Sequence, residues 1–163
     1  MESSDKEIIW SQFGAAVDML RNAIMKCPKD LWQDRSRQPE FWYIAYHTLF
    51  WLDFYLTEKP DEYRPHEPFG LTEFDPAGIL PVRLFTQDEL IGYLEFGRAK
   101  CKNVIGGLTK EKAAKNYEFG NINLSFLELI LYNMRHVQHH TAQMNLILRQ
   151  EINSAPGWIK KVG

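Results

Sequence analysis

Asn133-Met-Arg-His136-Val-Gln-His139-His140-Thr-Ala-Gln-Met144 sits inside a run, from about Ser125 to Glu151, whose apolar residues recur at helical spacing. At about 100° per residue, His136 and His140 come within about 40° of each other on one face, one turn apart. His139 lies about 60° from His136 on the other side. Phe126, Ile130, Val137, Met144, Ile147 and Leu148 fall on the side toward which His140 is displaced, whereas Glu128, Arg135 and Leu146 fall on His139's side. The pattern predicts that His140 faces the core and His139 its polar edge. Stacked imidazoles in an apolar interior need partners, because burying them unpaired is costly.

Working outward, Phe41 to Leu56 is apolar almost all round, with Asp53 as its one charge, and such a helix is surrounded by protein. The expected helix runs from Pro39, which suits a first turn beside a dipole-complementing Glu40, to about Thr57 before Pro60. His47 sits on it among Tyr43, Ile44, Phe50, Trp51 and Phe54 as a third inward histidine. Ser4-Asp-Lys-Glu7 reads as a capping box for a first helix, to about Lys26, with Ile9, Phe13, Ala16, Val17, Leu20 and Ile24 on its core face. Thr86-Gln-Asp-Glu89 opens another, to about Val104 or Ile105, and Ser125-Phe-Leu-Glu128 opens the last. Leu31 and Trp32 are expected to tuck an aromatic against the bundle, Thr109 to Ala114 to add a helical turn, and Trp158 to anchor the tail. Glu58 to Phe85 carries five prolines, two glycines and no periodicity, and a connection of that length usually spans a distance or does something. With no strand signal recognised, the expectation is an all-α four-helix bundle, one domain over residues 1–163, with a long crossover between its second and third helices.

Composition narrows the function. The chain has 163 residues, 45% hydrophobic and 13% aromatic, which excludes disorder for most of its length. A net charge of −2 gives no bulk attraction to nucleic acid or anionic membrane. Met1-Glu-Ser-Ser-Asp lacks the basic-then-apolar pattern of a secretory leader, and no apolar run reaches the ~20 residues of a membrane span. Cys27 and Cys101 are far apart and form no CxxC pair, so a cytoplasmic protein without disulfides or zinc thiolates is expected.

His47 lies near the middle of its helix and His136 and His140 near the middle of theirs, so the three imidazoles can meet at one level. Three neutral ligands with an open coordination position suit a catalytic divalent metal: zinc or nickel foremost, with iron also accepted by imidazole. A metal of a structural or small-ligand-binding kind, closed by His139 or His66, is the alternative, and a hydrogen-bonded core network is the third reading. A di-iron carboxylate bundle is disfavoured, since no pair of Glu-x-x-His motifs occurs. Asp53 is a candidate acceptor for an imidazole N–H, with an ordinary salt bridge favoured. Arg135 pairs with Glu128 or holds a substrate carboxylate. Tyr43, Phe50, Trp51 and Phe54 line a pocket or simply fill the core.

The inward His47 followed by Thr-Leu-Phe-Trp-Leu-Asp-Phe-Tyr, the His136-x-x-x-His140 pair and the terminal Pro156-Gly-Trp158 together resemble the DinB/YfiT-like superfamily. The resemblance implies the four-helix bundle with its crossover, a divalent metal on His47, His136 and His140, and a homodimer. It also implies a metal-dependent, thiol-dependent S-transferase or related hydrolase. Its partners would be a small-molecule electrophile and a low-molecular-weight thiol, with neither nucleic acid nor membrane involved. A metal- or ligand-binding bundle without turnover, acting as a homodimer, is the competing function.

Overall fold

Capping chemistry opens three of the helices where the sequence places it. The computed structural model describes residues 1–162. Helix α1 (Ser3–Lys26) starts earlier than its Ser4–Glu7 signature suggests, with the Asp5 carboxylate accepting from the Glu2 N–H at 3.2 Å, while Ser3 and Glu7 pair on the surface. A short helix α2 (Lys29–Trp32) buries Trp32, whose indole N–H donates to the Phe85 carbonyl at 2.9 Å. Helix α3 (Phe41–Tyr55) is about two residues shorter at each end than the expected span from Pro39 to about Thr57. Its N-cap Glu40 is buried, and its carboxylate takes the Trp42 indole N–H at 2.5 Å and Arg35 Nε at 2.6 Å. Helix α4 (Gln87–Gly106) opens on the Thr86–Glu89 capping box, and α5 (Lys110–Ala114) on Thr109. Helix α6 (Phe126–Ile152) opens on the Ser125–Glu128 box and ends at Asn153, whose φ of 52° is the left-handed stop of a helix C-terminus.

Two strands, β1 (Asn116–Phe119) and β2 (Ile122–Ser125), correct the expectation of a strandless chain. They pair antiparallel with Phe119 opposite Ile122, which leaves Gly120-Asn121 as a two-residue turn, Gly120 at φ 54°. Tyr117, Phe119, Ile122 and Leu124 alternate with polar neighbours, the period of a half-buried strand, and four residues a side is short enough for that signal to be overlooked.

The molecule is predominantly helical with this one small sheet, which is compatible with an all-α bundle. Helix α3 packs against α4 and α6, and α1 packs against α4 and α6, around a shared core of Phe13, Leu20, Trp42, Phe50, Leu94, Leu129 and Val137. Side-chain bonds fix which ends meet. Gln87, at the start of α4, donates to Ile24 and Cys27 carbonyls at the end of α1, and Lys6 reaches Gly106 at the other end. Asn133 early in α6 donates to the Leu52 carbonyl late in α3, while Arg37 just before α3 pairs with Glu151 late in α6.

Within α3 every residue is buried except Tyr43, His47 and Trp51, a single stripe at four-residue spacing. Asp53 is 1% exposed and meets the other side of that helix. Its Oδ2 accepts from the Tyr63 and Tyr93 hydroxyls at 2.9 and 3.0 Å, and its Oδ1 from Lys100 Nζ at 2.6 Å. The salt-bridge role expected for it therefore holds, and it touches no histidine. No helix among the described residues is long and apolar enough to cross a membrane.

The tail departs from expectation. Trp158 is 70% exposed and anchors nothing. Instead the Val162 N–H donates to the Ser11 carbonyl at 3.0 Å and Gln12 reaches the Lys160 carbonyl, so the tail lies along α1. Gly14 makes room for it: a Cβ there would stand 2.9 Å from Val162 Cγ1.

Candidate metal centre

His47 belongs to the half-buried stripe of α3, and His136 and His140 to the flank of α6 that packs on α3. The structure brings these three together in the groove between the two helices. Their imidazole centroids are separated by 5.3 Å (His47–His136), 4.8 Å (His47–His140) and 4.5 Å (His136–His140). One nitrogen from each lies within 4.8 Å of the others, so the cluster could hold a metal ion. The core itself is filled by Phe126, Ile130, Val137, Met144, Ile147 and Leu148, all buried as their spacing predicts. Placing His140 toward that core needs correcting: all three histidines are half-buried at the core's edge, because the neighbouring turns of α6 already fill the centre.

Hydrogen bonds behind two of the rings fix their protons. His47 Nδ1 stands 2.6 Å from Glu73 Oε2, an acceptor only, so Nδ1 carries the proton and Nε2 presents a lone pair. That lone pair points at His136 Nε2, 3.3 Å away. Two nitrogens bound at about 2.0–2.1 Å to a tetrahedral ion stand about 3.3–3.4 Å apart, so this pair already has the spacing of metal ligands. His140 Nδ1 is 2.7 Å from the Gln143 side-chain oxygen, which likewise places its proton on Nδ1 and frees Nε2. His136 Nδ1 is buried with no partner. An all-nitrogen donor set with two free lone pairs fits a borderline divalent ion.

Burial favours the neutral form of two of the donors. Burial, reinforced by His140, His47 and His139 nearby, pushes His136 down to about 3. Burial also lowers His140, against the opposing pull of its Gln143 bond. Neutral imidazole is the ligating form, so at His136 and His140 burial acts against the competing proton.

Glu73 is the residue that sequence reasoning missed. It comes from a single helical turn, Thr72–Phe74, within the long connection of residues 56–86, and its side chain is 4% exposed. The same Oε2 accepts the Trp51 indole N–H at 3.1 Å. Phe74 packs edge-on against Phe50, Trp51 and Phe54, and the Tyr46 hydroxyl meets Thr72 Oγ1 at 3.2 Å and the Gly70 carbonyl at 3.3 Å. The turn is thereby seated on α3. Nothing in the sequence sets Glu73 apart from Glu58, Asp61, Glu62, Glu67 and Asp75 in the same aperiodic stretch.

The remaining candidates lie elsewhere. His139 is exposed and meets the Gln143 amide at 3.2 Å, outside the cluster as expected. His66 stacks on Phe96, centroids 4.4 Å apart, and on Tyr93. It is half-buried, and it takes no part in the cluster. Glu128 is used by its helix cap and forms no pair with Arg135, which is exposed on the outward face of α6. Phe50 and Phe54 are wholly buried core, whereas half-buried Tyr43 and Trp51 flank His47 and half-buried Tyr132 flanks His136. Burial and the Glu73 carboxylate raise the Tyr43 phenol, which stays protonated.

The chain matches no protein-family model, and a search of the curated proteins likewise finds no match.

Proposed function

We propose that this chain is a divalent-metal protein of the DinB/YfiT-like kind, with His47, His136 and His140 as ligands and an activity of metal-dependent thiol S-transfer or a related hydrolysis. The observation that carries the proposal is the facing pair of Nε2 atoms, 3.3 Å apart, with the His47 proton held on the opposite nitrogen by Glu73. The helix arrangement supports the family reading. The start of α4 lies at the end of α1, and Lys100 late in α4 meets Asp53 late in α3, the contacts expected if residues 56–86 carry the chain across the bundle.

A divalent ion on neutral ligands supplies the charge that keeps a thiol ionised near neutral pH. The residues here gather three imidazoles in a half-buried groove, two of them with an Nε2 lone pair freed by the bond behind the ring, and flank the site with Tyr43, Trp51 and Tyr132. In the transfer, the S–H bond of a low-molecular-weight thiol gives up its proton to solvent. A carbon–sulfur bond then forms as the electrophile's leaving group departs with its electron pair. A sealed structural site is the weaker reading, because neither His139 nor His66 stands with the cluster. Zinc and nickel are the favoured ions, the cytoplasm the favoured compartment, and a homodimer the favoured assembly.

The test is elemental analysis of protein purified without chelating resin, beside His47→Ala and His136→Ala variants. About one zinc, nickel or iron per chain, lost in both variants while helical circular dichroism persists, is the expected result. No metal in the wild-type chain, and none taken up on reconstitution, would overturn the proposal. Metal without reaction across bacillithiol, mycothiol, glutathione and coenzyme A would leave a binding protein rather than a transferase.

A further inference from the structure

Resting on the metal-centre reading, we propose that Glu73 is the positioning residue of this site, setting which nitrogen of His47 faces the ion and thereby tying the connection of residues 56–86 to the centre. A free neutral histidine has either ring nitrogen protonated, and only the form with Nδ1–H turns an Nε2 lone pair toward His136. The Glu73 carboxylate enforces that form because it can only accept, and at 2.6 Å it does so through a short charge-assisted bond. The Trp51 indole, which donates to the same Oε2, holds the carboxylate in place.

Two consequences separate Glu73 from a mere packing residue. Its negative charge lies one imidazole away from the ion and raises the basicity of the ligand between them, the arrangement in which loss of the acceptor costs about 10–100-fold in metal affinity. It is also delivered by a segment that belongs to neither ligand helix. By linkage, whatever seating of that segment adds to ion affinity, ion binding adds to the seating.

The experiment reads the tautomer directly. Long-range proton–nitrogen correlation spectra of the metal-free protein, with the five histidines assigned by single variants, are expected to show His47 as Nδ1–H in the wild type and shifted toward Nε2–H in Glu73→Ala. Glu73→Gln, which keeps an oxygen acceptor but loses the charge, is expected to retain Nδ1–H. Zinc and nickel titrations are expected to weaken by about 10-fold or more in both variants. With zinc bound, protease cleavage within residues 56–86 is expected to slow in the wild type and not in Glu73→Ala. Wild-type His47 found as Nε2–H, or a Glu73→Ala protein with an unchanged tautomer and zinc affinity within twofold, would overturn the proposal. A wild type that shows the Nδ1–H form yet binds neither zinc nor nickel would instead remove the metal reading, leaving Glu73 as a lock on the histidine alone.

Discussion

Replacing Asp53 with alanine tests the energetics of the fold most sharply. The carboxylate is 1% exposed and satisfies three donors, two tyrosine hydroxyls and the Lys100 ammonium. Removing it leaves Lys100, 25% exposed, facing the Asp53 backbone carbonyl and Thr57 Oγ1 without its counter-charge. Breaking a buried ion pair from one side costs about 3–5 kcal/mol, most of it the penalty of the stranded charge. The two hydroxyls still meet each other at 3.3 Å, which softens their loss. A net loss of about 4 kcal/mol follows, or a fall in Tm of about 8–16 °C for a chain of this size. Urea denaturation followed by circular dichroism measures it. If the stranded ammonium is the main cost, Asp53→Ala combined with Lys100→Met must recover about half the loss, because the second change removes the uncompensated charge. A loss below about 1.5 kcal/mol, or a double variant worse than the single one, would refute the reasoning.

Other outcomes follow from the same bonds. Burial raises the phenols of Tyr46 (to about 12), Tyr55, Tyr63, Tyr93 and Tyr117, the folded values lying above the unfolded one near 10. Their contribution is complete below pH ~10 and is lost as pH rises beyond it, so absorbance at 295 nm should show most tyrosines ionising only as the helical signal collapses. His136, lowered to about 3, has the opposite sign. The metal-free fold binds fewer protons than the unfolded chain between that value and the ordinary ~6.5, so its stability, measured by urea midpoint, should be full above pH ~6.5 and decline below it. His136→Phe should flatten that decline. Gly14→Ala should push out Val162 and expose the tail to carboxypeptidase, while the helix gains up to about 1 kcal/mol in propensity and global stability changes little.

How much was legible depended on periodicity. The four long helices and their core faces followed from three-and-four spacing, and the His47, His136 and His140 cluster followed from placing two helical patterns at one level. Glu73 was not legible, since the chain between it and His47, 26 positions earlier, passes through a stretch with no repeat to set its position. The hairpin escaped because its alternation lasts only four residues a side. Trp158 illustrates a different limit: a large apolar side chain near a terminus suggests an anchor, yet the tail is held by Val162 because Gly14 leaves a notch of that size.

The helix arrangement also bears on how the chain reaches its native state. Helices α1 and α3 scarcely touch, and the pairs that do pack are α1 with α4 and α6, and α3 with α4 and α6. No two long helices joined by a short turn lie side by side, so the chain cannot zip up through helical hairpins. Every interface waits for the closure of a long loop, an entropic cost met before any contact rewards it. During synthesis α3, the most apolar segment, leaves the ribosome with neither of its principal partners yet made. Until α6 follows, about 70 residues later, its aromatic surface is what a chaperone would meet.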